Sequence, residues 1–415
     1  MVPNTAAIQA PRNTAAWMLF GVSFAHLLND AMQTAVPSAF PLFQSTMHLT
    51  FTQIGWVAFV LNITASLLQP IIGYMSDRKP MPSLLPIGMI FSLVGVLGFA
   101  YAKTLWMILL SALFIGVGSS VLHPESSRVA RLAAGARLGM AQSVFQVGGN
   151  TGQALAPLLV AFVLMPHGQQ GFLWFTIAAV VGIAVQLVIS RWYAGQLASG
   201  PDNEKPAPLS SDRQTQAFSP LFIAGTMTLL IILLFSKFIY IAGMTGFYSF
   251  YFIEQYHLPL SNAQLCLFAL QFAGMLGTLL GGPLADRFGR KTMIWISIAG
   301  TAPFSLLLPY VSPGIALLLC CMIGLILMSG FSVIIVYAQE LLPNHVGTVS
   351  GLFFGLAFGM AGLGSVLLGW LTDTAGVQFT ITLCSFLPLL GICALLLPRD
   401  SKLVAERGMI PTHDH

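Results

Sequence analysis

His26, Asn29, Asp30 and Gln33 recur at three- and four-residue spacing inside an otherwise apolar stretch. On a helix that spacing puts all four on one face. An imidazole, a carboxyl and two amides on one face can hold a proton, pass it on and hydrogen-bond a polar ligand. Removing a carboxyl from water favours its neutral form, so Asp30 is the expected proton carrier, with His26 beside it and Asn29 and Gln33 as ligand-facing amides. Lys237, with Tyr240 one turn on, is a second ionisable group deep in an apolar stretch. Such groups are costly there and mark function; a lone ammonium would attract an anion. The structural alternative is a static Asp30–Lys237 or Asp30–His26 pair that only holds helices together.

Further polar residues could join them. His123-Pro124-Glu125 closes an apolar stretch. His123 titrates near neutrality and, with Glu125, is a candidate for proton relay, although Glu125 is better explained by an ion pair with Arg78. Gln142, Gln146, Asn150 and Gln153 form one polar stripe, and Asn62, Ser66 and Gln69 form another. Such stripes line a substrate path or join helices. Gln271, Tyr337 and Gln339 are lone candidates for substrate contact, and Phe353, Phe354 and Phe358 could shape the space around it. The five cysteines lie within apolar stretches without metal-ligand spacing. Neither a metal nor a cofactor is expected, and no nucleophile motif points to an enzyme.

The elements that must position these residues are membrane helices. Hydrophobic residues make up 56% of the chain and charged residues 7%, against about 25% in soluble domains. Twelve stretches reach the length of about 20 residues that a span needs: 16–43, 52–75, 82–102, 105–126, 139–165, 171–192, 220–247, 260–284, 292–311, 314–340, 346–371 and 377–397. If they alternate in direction, fifteen of the 17 Lys and Arg fall on one side, Lys103 and Lys237 being the exceptions. The positive-inside rule puts that side, and both termini, in the cytoplasm. The net charge of +4 then reflects topology, not nucleic-acid binding. No short apolar region with a cleavage site opens the chain, so no cleaved signal is expected.

The chain divides in two. Residues 193–219 have linker composition, which gives an N-terminal segment 1–15, a six-helix half 16–192, the linker 193–219, a second half 220–398 and a tail 399–415. Gly282-Pro-Leu-Ala-Asp286-Arg287-Phe-Gly-Arg290-Lys291 follows the eighth span, and a weaker copy, Gly73-Tyr-Met-Ser-Asp77-Arg78-Lys79, follows the second. In each, the Gly would allow close helix packing. The Asp would accept hydrogen bonds from a neighbouring helix N-terminus. The Arg would pair with a carboxylate, Arg78 with Glu125 and Arg287 with Glu340. Arg290 belongs to the same latch, which would hold the cytoplasmic side shut in one state.

His26-Leu-Leu-Asn-Asp30, His123-Pro-Glu-Ser-Ser-Arg-Val-Ala-Arg131, Phe145-Gln-Val-Gly-Gly-Asn150, Ser190-Arg-Trp-Tyr193, Val336-Tyr-Ala-Gln-Glu-Leu-Leu-Pro343 and Ser350-Gly-Leu-Phe-Phe-Gly-Leu-Ala-Phe-Gly-Met360 resemble the fosmidomycin resistance proteins over nearly the whole chain. These are bacterial inner-membrane carriers of the major facilitator superfamily. The resemblance implies an all-α fold of twelve helices in two pseudo-symmetric halves. It also implies export of a small anionic phosphonate drug in exchange for protons, by a monomer in the lipid bilayer with no cofactor but the proton gradient. The chain departs from drug antiporters in having Gln153, not Pro, after Gly152. The alternative within transport is a proton-coupled carrier of a metabolite anion.

Overall fold

The computed structural model describes residues 12–133, 138–199, 219–342 and 346–400. Arg137, Lys205, Arg213, the termini and most of the expected linker lie outside the described residues, as do the side chains of Asp77 and Gln142.

Every described element is helical. In order these are α1 (Arg12–Ser38), α2 (Phe40–Met47), α3 (Phe51–Arg78), α4 (Leu84–Tyr101), α5 (Leu105–Ala133), α6 (Leu138–Leu159), α7 (Met165–His167) and α8 (Phe172–Ser199), then α9 (Pro220–Gly246), α10 (Tyr248–Tyr256), α11 (Leu260–Phe288), α12 (Arg290–Ala299), α13 (Ala302–Leu307), α14 (Pro313–Met328), α15 (Phe331–Leu341), α16 (Val346–Ala375) and α17 (Val377–Cys384). Ten stretches are long and apolar enough to cross a membrane. One of them, Ser143–Ala198, holds two of the expected spans. α1 adds the remaining one, its apolar run diluted by His26, Asn29, Asp30 and Gln33. The described helices thus accommodate twelve spans in an all-α membrane protein.

Several spans are broken where the chemistry dictates. Pro37 sits in the last turn of α1, and the chain continues as α2 after Ala39. Downstream of Pro157, which lacks a backbone donor, Val160–Leu164 widens to a π turn. The tenth span divides at Ser329-Gly330 into α14 and α15. The fourth span runs through Pro124 to Ala133, past the expected end at 126, because Val129 and Ala130 are fully buried. Likewise α8 runs into the expected linker, to Ser199, with Tyr193 fully buried against Leu19 and Phe145.

The cores show how the halves meet. One apolar cluster draws on both halves, from Met32, Phe40 and Phe43 to Phe247, Tyr251 and Leu267. Two others stay within one half: Leu19, Leu85, Val129 and Tyr193 in the first, and Leu230, Met293, Leu341 and Leu397 in the second. These two lie toward the basic ends of their helices. The halves are therefore joined at one end and packed separately at the basic end.

The joint runs along α3 against α16 and α6 against α11. Thr50 and Gln53 form a capping box at the start of α3. Asp373 of α16 then accepts hydrogen bonds from the Phe51 and Thr52 amides, both 2.8 Å, and from the Thr52 hydroxyl at 2.6 Å. A Cβ on Gly55 would overlap the Ser365 carbonyl and stand 2.8 Å from the Val366 Cα. Further along, Ser66 Oγ donates to the Gly355 carbonyl at 2.7 Å, whereas a Cβ on Gly351 would meet open space.

Candidate functional site

Three helices of the first half build a polar cluster. α1 contributes His26 and Asp30, one turn apart and respectively 3% and 4% exposed. α5 contributes His123 and Ser119, and α6 contributes Phe145, Gly149 and Gln153. Small residues bring α6 this close: a Cβ on Gly149 would overlap the His26 ring and lie 2.9 Å from Asp30 Oδ2. Gly148 and Gly152 are equally tight against the backbone of α1.

Asp30 gathers four partners. Gln153 Nε2 donates to Oδ2 at 2.9 Å and Asn29 Nδ2 to Oδ1 at 3.1 Å. His26 Nε2 lies 3.4 Å from Oδ2 and His123 Nε2 3.9 Å from Oδ1. The two imidazole Nε2 atoms are 3.3 Å apart. His26 Nδ1 is 2.9 Å from the Phe145 carbonyl, with its ring stacked on that phenyl at 4.2 Å. His123 Nδ1 is 2.9 Å from the Ser119 carbonyl. Gln33 joins through its Oε1, which accepts from Ser119 Oγ at 2.7 Å. Ser92 Oγ donates to Asn29 Oδ1 at 3.4 Å. The His123 side chain is 25% exposed, which opens one side of the cluster.

The structure thus brings Asp30, His26, His123, Asn29 and Gln33 together. The sequence shows Gln153 only as one of a stripe and gives no role to Ser119 or Phe145. The Gly148-Gly149 pair inside a span was the one signal for the close approach. Gln146, Asn150 and Gln271 are partly exposed on α6 and α11. Among the described residues, Asn150 Nδ2, Gln271 Nε2 and Gln69 Nε2 have no hydrogen-bond partner.

Lys237 is not with Asp30. It is 1% exposed, and its ammonium donates to the Leu327 carbonyl in the last turn of α14. That carbonyl is freed where the tenth span breaks, and a cation is favourable at a helix C-terminus. Neither the Asp30–Lys237 pair nor an open anion seat at Lys237 forms. Tyr240 is buried beside it on α9. Tyr337 is fully buried within the second half and donates to the Pro398 carbonyl at 2.9 Å. Gln339 is partly exposed near the basic end of α15.

The latch differs from expectation in its partners. Glu340 pairs with Arg290, not Arg287, whose guanidinium instead lies 5.3 Å from the Phe288 ring centroid. Asp286 is exposed. The carboxylate that caps the N-terminus of α12 is Asp400, which accepts from the Arg290 and Lys291 amides. Close packing falls on Gly281, whose Cβ would overlap the Ser329 carbonyl, while Gly282 faces open space. In the first half, Glu125 is fully buried and accepts from Ser76 Oγ. Arg78, at the last position of α3, lies 4.5 Å from the Tyr74 ring centroid and does not meet Glu125. Gly73 passes α5 loosely, its Cβ position 3.9 Å from Pro124.

Comparison with known proteins agrees with this architecture. The model of the Major Facilitator Superfamily matches residues 22–363. A fosmidomycin resistance protein of Escherichia coli K12 is 46% identical over 400 residues, 96% of each chain. The uncharacterized MFS-type transporter YfnC of Bacillus subtilis 168 is 43% identical over 399 residues, 95% of this chain and 96% of the relative. A bacterial homologue of the human lysosomal transporter Spinster, solved in an inward-facing and occupied conformation, superposes with a TM-score of 0.75 over 96% of this chain and 99% of that one, at 15% identity. With its span-crossing helices, two halves joined at one end and packed separately at the other, and these relatives, the chain belongs to the Major Facilitator Superfamily: it is a membrane transporter, not an enzyme.

Proposed function

We propose that this transporter exports small anionic drugs, fosmidomycin first among them, in exchange for protons by alternating access. It does so in the cytoplasmic membrane of a bacterium, as a monomer with both termini and the basic helix ends inside. The observation that carries the reading is Asp30. This buried carboxylate is held by two amides and flanked by two imidazoles, beside the partly exposed His123. A carboxylate inside a membrane protein marks an ion pathway by default. The 46% identity to a fosmidomycin resistance protein supports the drug class.

In this reading the halves are closed on the outer face and separated toward the cytoplasm, the state that would receive drug. The unpartnered amides of Asn150 and Gln271 supply donors for a phosphonate, and Gln146 borders the same path. Lys237 is assigned instead to the break in the tenth span. Competition between proton at the Asp30 cluster and drug on the neighbouring amides would couple the two fluxes.

Everted vesicles with an imposed pH gradient test the reading. Adding fosmidomycin should collapse the gradient only in vesicles that hold the carrier. An unchanged gradient with the carrier verified in the membrane would reject drug–proton exchange. Uptake of a metabolite anion in the opposite direction would establish the metabolite-carrier alternative instead.

A further inference from the structure

We propose that His26, His123 and Asp30 form a binding site for one divalent transition-metal ion, with zinc the best fit. Each Nδ1 faces a backbone carbonyl, Phe145 for His26 and Ser119 for His123, and a carbonyl only accepts. Each Nδ1 therefore carries a hydrogen, and in its neutral form each ring turns the lone pair of Nε2 inward. Those two lone pairs stand 3.3 Å apart with the Asp30 carboxylate beside both. One ligand atom from each of the three residues falls within a mutual distance of 4.8 Å.

Three acceptors around one point call for a cation. With zinc–nitrogen bonds of roughly 2.0–2.1 Å, tetrahedral ligands stand about 3.3–3.4 Å apart. The Nε2–Nε2 separation of 3.3 Å and the His26–Asp30 Oδ2 separation of 3.4 Å match that edge, while His123 stands 3.9 Å from the other carboxylate oxygen, Oδ1, and has about half an ångström to close. Two imidazoles and a carboxylate also suit zinc by donor type.

The surroundings complete the case. Metal-binding histidines donate their other ring N–H to a carbonyl or carboxylate, and ligating carboxylates are themselves hydrogen-bonded. Both histidines do so here, and Asn29 and Gln153 hold the carboxylate. Gly149 brings the backbone of α6 against the His26 ring and the Asp30 carboxylate, where any Cβ would overlap them. The 25% exposure of the His123 side chain leaves a way in for the ion. A doubly charged ion on one carboxylate would leave net positive charge there, available to an anionic fourth ligand. Sequence spacing conceals the site, because the third ligand lies 97 residues from His26.

Zinc and a proton would compete for Asp30, but zinc binding is read directly and stands or falls apart from drug export and proton exchange. Its test uses the purified full chain, without a polyhistidine tag and with the tail histidines His413 and His415 changed to Gln. Zinc alone is titrated in by calorimetry, and cobalt alone is followed by its visible spectrum. The expected results are one zinc per chain and the intense visible bands of tetrahedral cobalt. Gln153→Leu, which leaves all three ligands in place, should weaken zinc binding about 10- to 100-fold. His123→Gln and Asp30→Asn should weaken it further. No saturable uptake by the chain with an intact triad would overturn the proposal. So would uptake unchanged in His123→Gln and Asp30→Asn, or a cobalt spectrum of octahedral type.

Discussion

Among single residues, Asp30 carries the sharpest expectation. Asn at this position keeps the shape and can still take part in hydrogen bonds with Gln153 and Asn29, but it cannot exchange a proton. Asp30→Asn should abolish proton-driven drug export while the protein elutes as the same monodisperse species. Full drug resistance in cells expressing that variant would exclude Asp30 as the carrier. Lys237 leads to a different outcome. Its ammonium is occupied by the Leu327 carbonyl and is 1% exposed, so it acts on the break between α14 and α15. Lys237→Met should therefore reduce export of phosphonates and of neutral drugs by the same factor. Selective loss of phosphonates in parallel transport assays would restore it as an anion seat. The His26–Asp30 neighbourhood could be read from sequence because i, i+4 spacing is a property of one helix. The meeting with His123 and Gln153 could not, because it depends on how α1, α5 and α6 pack.

Among elements, α3 and α16 hold the closed end together. Asp373 stands at the N-terminus of α3, where unsatisfied amides and the helix dipole both favour a carboxylate. It supplies three hydrogen bonds across the two halves. Replacing such a cap costs about 1 kcal/mol, and here that cost falls only on the state in which the halves meet. Asp373→Ala should leave folding intact and shift the protein toward the state open at this end. A cysteine placed at Phe51 and probed with a membrane-impermeant maleimide should react faster in the variant than in the parent; equal rates would show that Asp373 does not hold this end. The apolar runs that place the spans were legible because composition decides burial in lipid. Their breaks and ends were less so. α5 and α8 continue beyond their apolar runs on buried faces, and Glu340 takes Arg290 rather than Arg287. That choice is made by where α11 ends and α12 begins, at Gly289, whose φ of +88° turns the chain.

For the whole molecule, alternating access requires that the joint between the halves form and separate as a unit. The structure shows it formed at the end away from the basic residues, and the apolar cluster that crosses it is made only there. Its closest approach depends on absent side chains. Gly55 lies against the backbone of Ser365 and Val366, and Gly369 against that of Phe51. Backbone cannot move aside as the tip of a flexible side chain can, so any Cβ at Gly55 has to push α3 and α16 apart. Gly55→Val should keep each half folded, since its clash is confined to the other half, and should hold this end open. Spin labels at Thr46 and Gln378, one on each half near the joint, would report the change by pulsed electron resonance. The parent should show a short-distance population that the variant loses, while a pair of labels within one half stays unchanged. Drug export should fall with the short-distance population, because a carrier that cannot close one end cannot safely open the other. Unaltered distances in Gly55→Val would mean that the joint yields locally, and that the glycine contacts between α3 and α16 do not set the equilibrium between the two open states.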